Sequence, residues 1–288
     1  MDVIRNALTI DVEDYFQVAA LAESIDRKDW SSMEYRAEKN TDELLELLEQ
    51  KDLRATFFTL GWIAERSPEL VRRIQQGGHE IASHGYSHQL VYNQSPDVFR
   101  EETRKSKAIL EDITGERVFG YRAASYSITA KSRWALDILC EEGFTWDSSI
   151  FPVHHDRYGM PGTPHEPYRL QAPNGGTLLE FPLSTCPVGN YRMPVAGGGY
   201  FRLYPYWLSR WGLGRINEAG QPFIFYLHPW EIDPGQPRVD VSAFSRFRHY
   251  NNLDKCKGRL ERLLGDFRFG TVSDVFSDVD MPSEAVAV

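Results

Sequence analysis

Short apolar runs alternate with amphipathic stretches along the first 150 residues. Residues 7–12 (ALTIDV) form a buried-strand pattern that runs straight into acids. Thr41 is an N-cap candidate for a helix with Leu44, Leu45, Leu47 and Leu48 on its inner side. Residues 55–59 (ATFFT) read as a second strand, stopped by Gly61. Ser67-Pro68 opens a helix to Gln76, closed by Gly77-Gly78, and residues 80–83 form a third strand. Ser95-Pro96 opens a helix to about Ile113, and 118–122 is strand-like. A helix from Thr129 to near Gly143 and a strand at 144–147 follow. Such β-α alternation predicts parallel strands wrapped by helices.

The second half is less regular. From about 151 to 206 the chain is rich in Pro, Gly and Tyr, and reads as long loops over the C-terminal strand ends. Residues 222–228 (PFIFYLH) are a buried strand, 253–264 an amphipathic helix, and 269–275 a last strand and turn. The tail MPSEAVAV is expected to fray.

The 288 residues can bury a large core without staples, and α/β barrels often reach this length. A net charge of −9 argues against nucleic acid or an anionic membrane surface as the main partner. Three scattered cysteines, Cys140, Cys186 and Cys256, suit a reduced protein. Acids occupy the N-terminus where a secretory peptide needs an apolar run, and no segment reaches membrane-span length. The expectation is a cytoplasmic protein, with membrane association through a partner left open.

Chemistry concentrates where predicted strands end, as α/β folds favour. Asp11, His84, Arg122, Asp147 and His228 all fall there. SHGYSH places His84 and His88 four residues apart, a spacing that lets two imidazoles share one metal. The plainer alternative is one histidine at a strand end and one bonded in the surface. IDVEDY carries Asp11, Glu13 and Asp14, either a solvated acidic turn or a cluster needing a cation. Two histidines and one carboxylate with open positions would make a catalytic site, not a closed structural one. Alternation puts Asp11 and Glu13 on one strand face.

Five ordered segments, TIDVED, SHGYSH, GYRAASYS, WDSS and FYLHPWE, together resemble the polysaccharide deacetylases of carbohydrate esterase family 4. That resemblance spans most of the chain. It implies a distorted (β/α)7-type barrel within the α/β class and hydrolysis of an amide or ester with a divalent metal, zinc being the expected ion. It makes Asp11 the general base, His84 and His88 metal ligands, and either Glu13 or Asp14 the metal carboxylate. Arg122 would pair with the base, although Ala124 stands where the family usually has proline. The backbone near Ser125 would help hold the oxyanion. Asp147 would bond and tune the catalytic histidine, and His228 would be the general acid. Taken singly, Arg122, Asp147 and His228 read as a surface arginine, a helix cap and a core histidine.

FPVHHDRYGMPG, AGGGYFRLYP and RFRHYNN resemble a branch associated with bacterial exopolysaccharide and exosortase gene clusters, which carries an extra C-terminal region. Ser125, Tyr126, His155, Asp156, Arg157, Tyr158, Tyr200 and Arg248 are expected to bind substrate. Residues 1–288 would form one deacetylase domain: a motif-rich barrel half (1–150) and a loop-rich half (151–288). The expected substrate is an N-acetylated oligo- or polysaccharide, or its lipid-linked precursor, with association with the synthesis machinery left open. Two other readings stand beside it: hydrolysis of a cyclic imide or allantoin-like ring, and sugar binding on an inactive scaffold.

Overall fold

The computed structural model describes residues 4–155, 158–281 and 283–288. In chain order its first half comprises β1 (Arg5–Val12), α1 (Ala37–Gln50), β2 (Thr56–Thr59), α2 (Gly61–Arg66), α3 (Pro68–Gln76), β3 (Glu80–Ser83), α4 (Pro96–Thr114), β4 (Gly120–Tyr121), α5 (Trp134–Glu141) and β5 (Trp146–Asp147). The second half adds β6 (Tyr168–Gln171), β7 (Thr177–Glu180), β8 (Thr185–Val188), β9 (Tyr191–Pro194), α6 (Gly198–Leu203), α7 (Tyr206–Glu218), β10 (Ile224–Leu227), α8 (Ala243–Tyr250), α9 (Leu253–Asp266), β11 (Arg268–Gly270), α10 (Val272–Asp278) and β12 (Val286–Ala287).

Strands β10, β1, β2, β3, β4, β5 and β7 are neighbours in that order, and every pairing among them is parallel. This is the seven-stranded parallel wall of a distorted (β/α) barrel. β10 and β7 do not pair directly. Between them, Tyr226 N–H donates to Ala196 O (2.8 Å) and Ile224 N–H to Ser184 Oγ (3.0 Å). Strand alternation sends Ala7, Phe58, Ala82, Trp146 and Ile224 into one cluster with Phe181, capped by Val272, Val275 and Phe276 of α10. The same parity carries Thr9 and Asp11 up the inner face of β1, with Glu13 just beyond its end. Gly120 is required in β4 because a Cβ there would lie 2.0 Å from the Trp146 ring.

Several boundaries differ from the sequence reading. α1 begins at Ala37, four residues before Thr41, because Asp14 caps it from outside: its Oδ2 accepts from Arg36 N–H (2.6 Å) and Ala37 N–H (2.7 Å). The stretch 151–206 holds two antiparallel pairings, β6/β7 and β8/β9, besides its loops. Residues 272–278 form a helix rather than a turn, and β12 pairs in parallel with β6 where the tail was expected to fray.

Candidate active site and metal centre

Asp11 and Glu13 stand at the mouth of the barrel, each about 2% exposed. Arg122, wholly buried, reaches across from the end of β4 and its Nη1 donates to Asp11 Oδ1 (2.6 Å) and Thr9 Oγ1 (2.8 Å). Nε and Nη2 donate to the backbone carbonyl and hydroxyl of Ser148 (3.2 and 2.9 Å), and the guanidinium lies over the Phe58 ring at 4.0 Å. Four of the five N–H donors of this cation are used and its face is stacked, which fixes the Asp11 carboxylate in one orientation.

His84 Nδ1 sits 2.8 Å from the Arg122 carbonyl. A carbonyl only accepts, so Nδ1 carries the proton and Nε2 keeps a free lone pair. Burial holds His84 down at about 4, hence neutral, as a metal ligand must be. His88, in the left-handed region at φ 51°, turns its ring to within 5.4 Å of His84. Ligand atoms of Glu13, His84 and His88 all lie within 4.8 Å of one another.

Glu13 Oε2 is 2.7 Å from His88 Nε2, yet accepts no hydrogen bond of proper geometry. Two donor atoms so close and unaligned are what co-ligands of one ion look like. Oε1 accepts from Trp230 Nε1 (3.2 Å), so the carboxylate is also held from outside. Burial works against the Glu13 charge, but His88, His228 and His84 outweigh it and keep the acid below the usual carboxylate range. The residues fit a divalent cation: two imidazoles and one carboxylate, with His84 held from behind by the Arg122 carbonyl and Glu13 by the Trp230 indole.

Asp14 does not join them. Its oxygens accept from the backbone N–H groups of Tyr15, Arg36 and Ala37, turned toward the start of α1. Of the two carboxylates the sequence left open, geometry places Glu13 in the cluster. Burial pushes Asp14 up to about 6 despite those three bonds.

Asp147 is also elsewhere. Its oxygens take Ser149 Oγ (2.6 Å) and Ser149 N–H (3.2 Å), and Ser149 Oγ in turn accepts from Ala123 N–H (2.8 Å). Asp147 thus braces the loop behind Arg122 and makes no contact with His228. Burial pushes both Asp147, to about 6, and its neighbour Glu180 upward. The expectation that Asp147 bonds the histidine is corrected: that partner is Glu231, whose Oε1 lies 2.6 Å from His228 Nδ1 and also accepts from the His228 N–H (3.1 Å). Arg202 Nε grips the other Glu231 oxygen at 2.6 Å, wholly buried. Burial opposes the Glu231 charge, yet Arg202 and His228 hold its carboxyl down at about 2. Burial alone would lower His228, but Glu13, Glu231 and Asp11 push it up to about 9. His228 Nε2 points into the cluster, 3.3 Å from Glu13 Oε1 and 3.9 Å from Asp11 Oδ2.

Glu231, Trp230 and Arg202 were missed in the sequence. The signal for Glu231 was present in HPWE: a carboxylate three residues after a histidine can close a capping box on it.

A cleft of about 450 Å³ joins Asp11, Glu13, His84, His88 and His228. Ser125, Tyr126, His155, Tyr158, Tyr200 and Arg248 all line it. Asp156 and Arg157 lie outside the described residues. Ser125 and Tyr126 both have positive φ (51° and 55°), a strained turn that aims this loop at the cleft.

Residues 27–139 match the family model for polysaccharide deacetylase, and residues 148–277 match a domain of unknown function, DUF3473. His84, His88 and Arg122 fall within the first match, and Arg202, His228 and Glu231 within the second. A peptidoglycan-N-acetylglucosamine deacetylase of Bacillus cereus is 39% identical over 75 residues, 26% of this chain and 27% of that protein. The chain spans less than half the length of the curated relatives compared. Among solved structures, a Mycobacterium smegmatis protein assigned to the polysaccharide deacetylases superposes with a TM-score of 0.64 at 20% identity, covering 99% of this chain and 94% of that one. A PuuE allantoinase superposes at 0.61 with 18% identity, covering 94% and 88%, so the fold is shared by both chemistries. Residues 27–139 of this chain are a polysaccharide deacetylase domain by that match.

Proposed function

We propose that the protein is a metal-dependent N-deacetylase acting on N-acetylhexosamine units of a glycan. The observation that carries this reading is the convergence in one cleft of a Glu13/His84/His88 donor set, an Arg122-fixed Asp11 and a Glu231-held His228. When bound there, a divalent ion, Zn²⁺ by donor type, supplies polarisation of the acyl carbonyl and a lowered pKa for water.

The chain's own residues do the rest. Asp11 accepts the proton of the attacking water, its lone pairs oriented by Arg122. Ser125 N–H is the donor toward the developing oxyanion, while the next N–H, of Tyr126, is spent on Ala123 O (3.0 Å). His228, its Nδ1 held by Glu231, donates from Nε2 to the leaving amine. Both matched regions contribute to one catalytic unit, the second supplying the acid and part of the cleft wall.

Acetate release from N-acetylglucosamine oligomers, assayed with and without chelator, tests this directly. Chelator-sensitive release that returns on adding Zn²⁺ is expected. Release indifferent to chelator, or turnover of allantoin in place of the oligomers, would overturn it.

A further inference from the structure

Seven of the ten large apolar side chains that stand exposed among the described residues lie between residues 188 and 247. Two of them are on α7. That helix buries Tyr206, Ser209, Gly212, Leu213 and Ile216, and turns Trp207 and Trp211, one turn apart, to solvent. Trp207 is 67% exposed. α8 does the same with Phe244 and Phe247, 67% and 55% exposed. Phe244, Phe247 and Leu203, the last residue of α6, also line the catalytic cleft. Exposed apolar groups therefore reach the cleft mouth at Leu203, Phe244 and Phe247, and Trp207 follows Leu203 by four residues. Clustered exposed aromatics mark an interaction surface rather than ordinary surface scatter.

Charge indicates what covers it. The chain as a whole is acidic at −9, yet residues 188–248 hold seven arginines, no lysine and only four carboxylates. One of those pairs, Arg202 with Glu231, is buried and internal. Arg210 is partnered by Asp266 and Arg246 by Asp240, whereas Arg192, Arg215, Arg238 and Arg248 make no ion pair among the described residues. Screening confines electrostatics to about 10 Å at moderate salt, so the arginines that share helices with the exposed aromatics, Arg210 and Arg215 on α7 and Arg246 and Arg248 on α8, weigh more there than the net charge.

We propose that this face docks on an anionic phospholipid bilayer, with Trp207, Trp211, Phe244 and Phe247 entering the headgroup boundary and arginines meeting lipid phosphates. Tryptophan, phenylalanine and arginine on outward helix faces match interfacial anchoring. The cleft then opens at the membrane surface, where a membrane-held glycan would reach it. This docking stands independently of the deacetylation chemistry.

Co-sedimentation of the full chain with phosphatidylglycerol–phosphatidylcholine vesicles tests it. The native chain should pellet at low salt, less at high salt, and less with phosphatidylcholine alone. The double variant Trp207→Ser/Trp211→Ser should bind about tenfold more weakly while melting normally and turning over a soluble oligomer at the native rate. Phe244→Ser/Phe247→Ser should weaken binding as well. A native chain that stays in the supernatant, or a tryptophan variant that pellets equally, overturns the proposal. So does a native dimer that the tryptophan variant dissolves, since a second copy is then the occupant. Loss of oligomer turnover in that variant overturns it in favour of a glycan-binding surface.

Discussion

On one side of the cleft, Asp11, Glu13, His84 and Arg122 stand at or just beyond the tips of strands β1, β3 and β4, joined through β2 in a continuous parallel sheet. On the other, His228 follows β10 but owes its setting to Glu231, to Arg202 on α6, and to the backbone carbonyls of Arg248, His249 and Asn251 that Arg202 also binds. The first side is positioned by sheet register, which cannot shift by one residue without turning every side chain over. The second is positioned by one buried arginine that ties the end of α8 to the carboxylate behind the histidine. Base and metal donors sit on the rigid frame, and the acid sits on the part that also forms the substrate wall.

Breaking either side at its reactive group should have the largest effect. Asp11→Asn and His228→Ala should each lower kcat by about 10³-fold or more with melting temperature nearly unchanged, read by acetate release and thermal unfolding. Near-native turnover in either variant removes that residue from the chemistry. The supports sharpen the contrast. Glu231→Gln should lower kcat about 10- to 100-fold with little change in KM, since it removes the negative charge behind His228. Asp147→Asn should cost less in kcat, because Asp147 acts through Ser149 on the Arg122 loop. A reversed order would return Asp147 to the role the sequence suggested.

Smaller effects belong to the frame alone. His79 is buried, its Nδ1 accepts from Ala55 N–H (3.2 Å), and burial with nearby Arg54 lowers it to about 4. The fold therefore favours its neutral form. Stability that this group leaves intact at neutral pH is lost as pH falls from 6.5 toward 4. Relative to His79→Gln, the native chain should lose on the order of 1–3 kcal/mol between pH 7 and 4 in denaturant titrations. Parallel pH curves would refute it. Asp14→Ala, removing a cap from α1, should cost about 1 kcal/mol by the same method.

The rigid side was the readable one. Short apolar runs ending in His, Arg or Asp located β1, β3 and β4, and alternation alone paired Asp11 with Glu13. What sequence could not resolve was where each acid of DVED points, because Asp14 leaves the strand and answers to a helix start more than twenty residues away. The loop-rich side hid its strands because β6 to β9 are four residues each, interrupted by Pro and Gly. Arg202 gave no local signal: its partners are 29 to 49 residues distant.

Zinc binding by the metal-free native chain and by its Glu13→Ala, His84→Ala and Asp14→Ala variants tests the central claim most directly. Titration calorimetry should find one tight ion per chain in the native protein and in Asp14→Ala, and none in Glu13→Ala or His84→Ala. A native chain that binds no divalent ion, or a Glu13→Ala variant that binds it as tightly as the native one, would contradict the account.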